Sequence, residues 1–96
     1  MDTRLNVGDL LFDNMTMLDG FGPLQVFSFV PQFHAFTFAR ERAPVLSDCG
    51  ARLSPDHDFD FCPPLDVLIA PGGGDVLPQL DHLHTHLDTH PPQARA

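Results

Sequence analysis

The sequence predicts an α/β domain built around a parallel sheet. Three apolar segments of strand length, residues 5–12, 33–38 and 65–70, are separated by turn-forming residues. The third segment is a continuous apolar run between a pair of prolines and a glycine loop, which is typical of a central strand in a parallel sheet. A helix is predicted from Pro23 to Pro31, because proline fits the first helical turn and interrupts a helix interior.

Length and charge limit the classes of protein to which the chain can belong. Its 96 residues are enough for one modest core and for one domain. Hydrophobic residues make up 43%, which is too many for a disordered tail. The formal charge of −8 argues against binding to nucleic acids or to anionic membranes. Because the sequence has neither a signal-peptide pattern nor an apolar run of the ~20 residues that cross a membrane, we expect a cytoplasmic protein.

The remaining segments predict smaller elements. Residues 44–46 and 52–54 are predicted to form a hairpin, and residues 56–58 a solvated acidic loop. A second helix is predicted to begin at Val76, and the composition changes abruptly near Asp81. We therefore divide the chain into residues 1–80, part of one domain, and residues 81–96, a His-rich divergent tail. Six phenylalanines are assigned to the core: Phe21, Phe27, Phe29, Phe33, Phe36 and Phe38.

Two stretches of the chain resemble the DJ-1/PfpI superfamily, and most of all its isocyanide hydratase branch. Residues 11–27, LFDNMTMLDGFGPLQVF, resemble that family's first strand, an acid-bearing loop and its first helix. Residues 62–74, CPPLDVLIAPGGG, resemble the strand and glycine turn that flank its active site. The amino-terminal domains of some AraC-type regulators share both motifs. The resemblance implies a flavodoxin-like sandwich, also described as class I glutamine amidotransferase-like, that usually forms dimers.

The resemblance also implies a chemistry for two positions. In isocyanide hydratases a cysteine on a strand-to-helix elbow attacks the isocyanide carbon, and an acidic side chain handles the proton, which gives an N-formamide. Asp19 matches the acidic position, and the backbone N–H groups of Gly72, Gly73 and Gly74 match the oxyanion-binding side. Glycines suit that role because no Cβ blocks the approach of an anion to the backbone. A small-molecule substrate, no cofactor and a possible homodimer follow from the same resemblance.

The elbow cysteine that the resemblance implies has no match in this sequence. Cys49 and Cys62 both precede the glycine loop, and we expect them to be structural, as buried free cysteines usually are. We therefore expect the product of a truncated or frame-shifted gene that is inactive alone. Loss of later strands would leave a sheet edge and apolar faces uncovered. We accordingly expect the isolated chain to dimerise, to aggregate or to fold loosely.

The residues leave alternatives open at each candidate site. Asp19 is either a catalytic acid or a carboxylate that faces helix N–H groups, and the glycine loop is either an anion site or a tight turn. The chain as a whole could instead be a non-catalytic ligand-binding or sensor module. His82, His86 and His90 are spaced four apart, so that a helix would align them for Zn²⁺, Ni²⁺ or Cu²⁺. The same residues could equally be a polar, frayed, His-rich terminus.

Overall fold

A computed structural model describes residues 3–89, and it confirms the predicted α/β class. Most of the regular structure belongs to one parallel sheet with a helix on each of its faces. The elements in chain order are β1 (Leu5–Leu11), α1 (Met17–Ser28), β2 (Phe33–Ala39), β3 (Val45–Leu46), β4 (Arg52–Leu53), β5 (His57–Asp58), β6 (Val67–Ile69) and α2 (Val76–Thr89).

The main sheet has the strand order β5-β2-β1-β6, and all its described strands are parallel. β1 and β2 pair along their whole length, from Leu5 opposite Phe33 to Leu11 opposite Ala39. The prediction that the 65–70 segment is a central strand is wrong for the described residues, because β6 pairs with β1 alone and forms an edge. An apolar run indicates that both faces of a strand are buried, but it does not indicate how many other strands pair with it.

The side chains of β1 alternate between the two faces of the sheet, as strand geometry requires. On one face, a Cβ at Gly8 would collide with the side chains of Leu65 and Phe38, so glycine allows these two side chains to pack there. On the other face, Asp9 lies against Gly20 of α1. The core that results is made largely of β1, β2 and the segment after β1, with Leu83 contributed by α2.

Helix α1 differs from its prediction in both its start and its burial. It begins at Met17, well before Pro23, which lies inside the helix. Proline marks a position where a missing N–H is tolerated, and here that position is not the first turn. The outer face of α1 is apolar but uncovered, with Leu18 78%, Val26 65% and Phe29 76% exposed. The assignment of Phe29 to the core is therefore wrong, whereas Phe36 and Phe38 are buried as predicted.

The segment between β2 and β6 is more ordered than its acidic composition indicates. The predicted hairpin is confirmed, since β3 and β4 pair antiparallel. The predicted solvated loop at residues 56–58 is wrong, because His57 and Asp58 form β5 beside β2. Asp56 fixes this pairing, since its carboxylate accepts the Thr37 N–H at 3.1 Å and its own N–H donates to Thr37 Oγ1 at 2.9 Å.

The second predicted helix is confirmed, and α2 continues through residue 81 as far as Thr89. Leu83 is only 5% exposed and joins the core, so the described part of the predicted tail packs onto the domain. His90 lies outside the described residues. Neither of the two described helices has the length and apolar character that crossing a membrane requires.

Candidate active site

The two positions that the sequence singles out for chemistry lie next to each other. Asp19 is in the first turn of α1, and Gly72 follows β6 directly. A Cβ at Gly72 would lie 3.0 Å from Asp19 Oδ2 and 3.7 Å from Thr16 Oγ1. The Thr16 N–H also donates to the Gly72 carbonyl oxygen at 2.8 Å. The acid and the glycine loop therefore meet at the carboxyl ends of β1 and β6, where open α/β sheets bind ligands.

The glycine loop needs glycine at one of its three positions. Gly73 has φ +143°, and a Cβ there would lie 3.0 Å from the Asn14 carbonyl oxygen, so a side chain is both strained and crowded. At Gly72 a Cβ would press on the Asp19 carboxylate. Gly74 has open space around it. The backbone at Gly72 and Gly73 is thus held close to the acid without an intervening side chain, as binding of an anion by N–H groups requires.

The hairpin supports the loop that precedes α1. Thr16 at the amino end of the helix makes no side-chain capping bond. The Met17 N–H donates instead to Asp48 Oδ1 at 3.2 Å, and the Asp48 N–H donates to the Met15 carbonyl at 2.9 Å. Asp13 Oδ1 in turn accepts the Leu46 N–H at 2.9 Å. The carboxylate that serves the helix start is therefore distant in sequence, which local capping rules cannot detect.

A second acid, Asp9, lies in the interior next to Gly20, the residue that follows Asp19. Asp9 is 0% exposed, and neither of its carboxyl oxygens has a hydrogen-bond partner among the described residues. A Cβ at Gly20 would lie 3.1 Å from Asp9 Oδ1 and 2.9 Å from Pro71. Burial without a compensating cation raises the pKa of the Asp9 carboxyl to about 7. Sequence reasoning missed this residue; the signal was an acid at a strand position flanked at i ± 2 by Val7 and Leu11.

The two cysteines differ in their surroundings, and burial excludes only Cys62 as a nucleophile. Cys62 is half-buried and donates its S–H to the Pro63 carbonyl at 3.3 Å. Burial, together with the nearby negative charge of Asp58, raises the pKa of the Cys62 thiol to about 12, so it stays neutral and unreactive. Cys49 is exposed, against the expectation of burial, with its sulfur 3.3 Å from Ser47 Oγ.

The described histidines of α2 contact other groups rather than one another. His82 Nε2 lies 3.3 Å from Arg40 Nη1, and His86 Nδ1 lies 3.9 Å from Asp60 Oδ1. An arginine beside His82 disfavours a divalent cation there. Within residues 3–89, no group of three His, Cys, Asp or Glu side chains could hold a metal ion. The third member of the predicted set, His90, lies outside the described residues, so the three-histidine site stays a prediction.

Comparison with known proteins gives relatives in one superfamily. No family model matches the sequence. An isonitrile hydratase from Pseudomonas putida is 36% identical over 81 residues, which are 84% of this chain and 36% of the relative. The crystal structure of a THiJ/PfpI family protein from Pseudomonas syringae has a TM-score of 0.65 and 34% identity, over 78% of this chain and 31% of that one. The chain thus spans about a third of the length of these relatives.

More distant structures share the fold alone. A DJ-1 superfamily protein from Agrobacterium tumefaciens has a TM-score of 0.64 at 18% identity, over 92% of this chain and 50% of that one. An AraC family transcriptional regulator from Pseudomonas putida has a TM-score of 0.60 at 21% identity, over 90% of this chain and 59% of that one.

Proposed function

Because this chain belongs to the DJ-1/PfpI superfamily, we propose that it forms the acid and oxyanion-binding side of an isonitrile hydratase-like active site. The close approach of Asp19 to Gly72 carries the proposal, since it places an exposed carboxylate beside backbone that has no side chain in the way. The relative that is 36% identical bears the name of the same reaction.

Each group has a distinct task in the proposed reaction. Hydration adds one water to an isocyanide R–NC and yields the formamide R–NH–CHO. A cysteine thiolate that attacks the isocyanide carbon leaves negative charge on the adduct, and proton transfer from Asp19 gives the thioimidate R–N=CH–S–Cys. Water then adds to this carbon, with one proton going to the nitrogen and the other returning to Asp19, and the N–H groups of the glycine loop stabilise the oxyanion that forms. The C–S bond breaks last, which releases the formamide and the cysteine thiolate. In this arrangement Asp19 moves protons and the loop binds charge.

The nucleophile itself is not among these residues. Both cysteines precede the glycine loop in sequence, and the neutral Cys62 thiol lines a different part of the molecule. We therefore propose that the 96 residues alone do not hydrate isocyanides, and that a chain segment carrying a cysteine completes the site.

A chimera tests the proposal directly. The matching segment of the Pseudomonas putida isonitrile hydratase is replaced by this chain, and formation of N-cyclohexylformamide from cyclohexyl isocyanide is followed by chromatography. We expect turnover in the chimera, and a loss of about 100-fold or more on Asp19→Asn, because general acid catalysis contributes that much. Asp75→Asn is the matched control, since Asp75 is exposed beside the same loop and should leave the rate unchanged.

Two results would count against the proposal. A chimera that is folded by circular dichroism but whose turnover is the same with Asp19→Asn would remove Asp19 from the chemistry. Formamide production by the 96-residue chain itself would show that no further segment is needed.

A ligand-binding module without catalysis is the second candidate, and it is favoured by the placement of Cys62, a neutral thiol that lines a cavity away from Asp19 and Gly72. An active chimera with dependence on Asp19 rejects it. A folded, inactive chimera, together with saturable shifts of the Gly72 and Gly73 amide signals when the isocyanide is added, supports it.

A further inference from the structure

A cavity of about 200 Å³ lies on the sheet face opposite α1, between α2 and the segment that joins β5 to β6. Phe38 forms its floor and Leu83 of α2 one wall. Because adjacent strand residues alternate in direction, Phe38 points away from the side that carries Asp9 and its neighbour Thr37. The cavity is therefore distinct from the site at Asp19.

Most of the side chains that line the cavity are apolar, whereas its accessible surface is about equally polar and apolar. Phe59, Leu65 and Leu87 complete the apolar lining. The Cys62 thiol adds a neutral, polarisable surface, because its raised pKa keeps it protonated at any physiological pH. Such a lining favours a hydrocarbon ring over a charged or strongly hydrated molecule, since burial of a charge without a partner is costly.

The polar end of the cavity is formed by two side chains. The ring of His86 packs against Phe59 with centroids 5.6 Å apart, and its side chain is only 15% exposed. Asp60 is 67% exposed and lies at the solvent side, with Oδ1 3.9 Å from His86 Nδ1. A carboxylate accepts hydrogen bonds and repels anions, and the chain as a whole carries a formal charge of −8. The preferred ligand is therefore a molecule that donates a hydrogen bond and carries no negative charge.

From this combination we propose that the cavity bounded by Phe38, Phe59, Leu83 and Leu87 binds a small uncharged aromatic molecule whose hydroxyl or amine donates a hydrogen bond at the Asp60–His86 end. The volume agrees with one ring and few substituents, because an apolar cavity of about 150 Å³ holds benzene whereas drug-sized ligands need ~300 Å³ or more. With about eight non-hydrogen atoms, such a ligand should bind with a Kd of roughly 1 mM.

The test is a ¹H–¹⁵N NMR titration of the 96-residue chain with 4-methylphenol. We expect saturable shifts of the Leu65, Leu83 and Leu87 amide signals. Toluene, which lacks the hydroxyl donor, should bind several-fold more weakly, and 4-methylbenzoate, an anion of the same width, at least 10-fold more weakly. Equal binding of the phenol and the benzoate, or an absence of saturable shifts at these amides, would overturn the proposal.

A pair of identical substitutions on α2 locates the ligand. Leu87→Phe places a larger ring in the lining and should weaken 4-methylphenol binding at least 5-fold. Leu77→Phe makes the same change on the same helix, at a side chain that is 72% exposed and outside the cavity, and should have no effect. Equal affinities of the two variants would place the ligand elsewhere.

A second pair keeps the proposal testable if Leu87→Phe does not fold. Asp60→Asn removes the repulsion of anions from an exposed position, so 4-methylbenzoate should bind more tightly and 4-methylphenol more weakly. Asp75→Asn, also at an exposed position, is the control and should change neither affinity. If Asp60→Asn and Asp75→Asn had the same affinities for 4-methylphenol and for 4-methylbenzoate, the assignment of Asp60 to the polar end of the cavity would be refuted.

Discussion

The buried carboxyl of Asp9 should make the stability of this domain depend strongly on pH. Its pKa rises from an ordinary value of 3.8 to about 7 because the group is fully buried without a hydrogen-bond partner in residues 3–89. The folded state therefore binds more protons than the unfolded state between about pH 4 and pH 7. Below pH 4 Asp9 does not lower the free energy of unfolding. As the pH rises to 7 its ionisation lowers the free energy of unfolding, and above pH 7 this effect is constant. A raised acidic pKa thus penalises the folded state at neutral and alkaline pH.

The size of the penalty follows from the linkage relation. A rise of about three pH units corresponds to ~4 kcal/mol above pH 8, at ~1.4 kcal/mol per unit. At pH 5 the same relation gives only ~1.7 kcal/mol. Asp9→Asn removes the titration while retaining size and polarity. Its stability relative to the native chain should therefore increase by ~2.5 kcal/mol between pH 5 and pH 8.

Urea unfolding followed by circular dichroism at 222 nm measures this difference, since the chain has no Trp or Tyr for fluorescence. Asp75→Asn, an exposed acid changed in the same way, should track the native chain across the pH range. Taking differences between chains cancels the other acids and the histidines. A stability difference for Asp9→Asn that is flat from pH 5 to pH 8 would refute the assignment of a raised pKa.

Three further substitutions test other parts of the structure by the same unfolding measurement. Gly73→Ala should cost about 1–3 kcal/mol because of its positive φ and the close Asn14 carbonyl, whereas Gly74→Ala should cost far less. Asp48→Ala should cost about 1 kcal/mol by removing the capping acceptor of α1. Phe29→Ser should change stability by less than ~0.5 kcal/mol but should reduce self-association in sedimentation experiments, because that ring is 76% exposed. Persistence of the same association in Phe29→Ser would exclude this face of α1 from the contact.

The elements that local sequence signals specify were the ones that could be predicted. β6 and the turn after it follow from the apolar run at residues 65–70, which ends in glycines. The hairpin follows from two short apolar segments on either side of Gly50. Glycine adopts the observed φ of +86° without support from tertiary contacts. These signals depend on residues that are close in sequence, so they can be recognised without knowledge of tertiary contacts.

The features that were missed depend on contacts that are distant in sequence. The start of α1 at Met17 depends on Asp48, 31 residues away, and no local pattern connects the two. The burial of Asp9 depends on Gly20 of α1, 11 residues away, where a Cβ would lie 3.1 Å from Asp9 Oδ1. Sequence reasoning placed Asp19 and Gly72 in one site only through family resemblance, since nothing in their spacing brings them together.

The buried Asp9 is connected to the candidate site through Gly20, the residue that follows Asp19, so the site is sensitive to changes in the core. A Cβ at Gly20 would meet both Asp9 and Pro71, and a Cβ at Gly72 would meet Asp19. Among the residues of α1 only Gly20 is buried, so its position fixes how the first turn lies against the sheet. We expect ionisation of Asp9 to weaken the packing at Gly20, because a buried charge without a partner is costly. We therefore expect the arrangement of Asp19 and the glycine loop to be most stable when the Asp9 carboxyl is protonated.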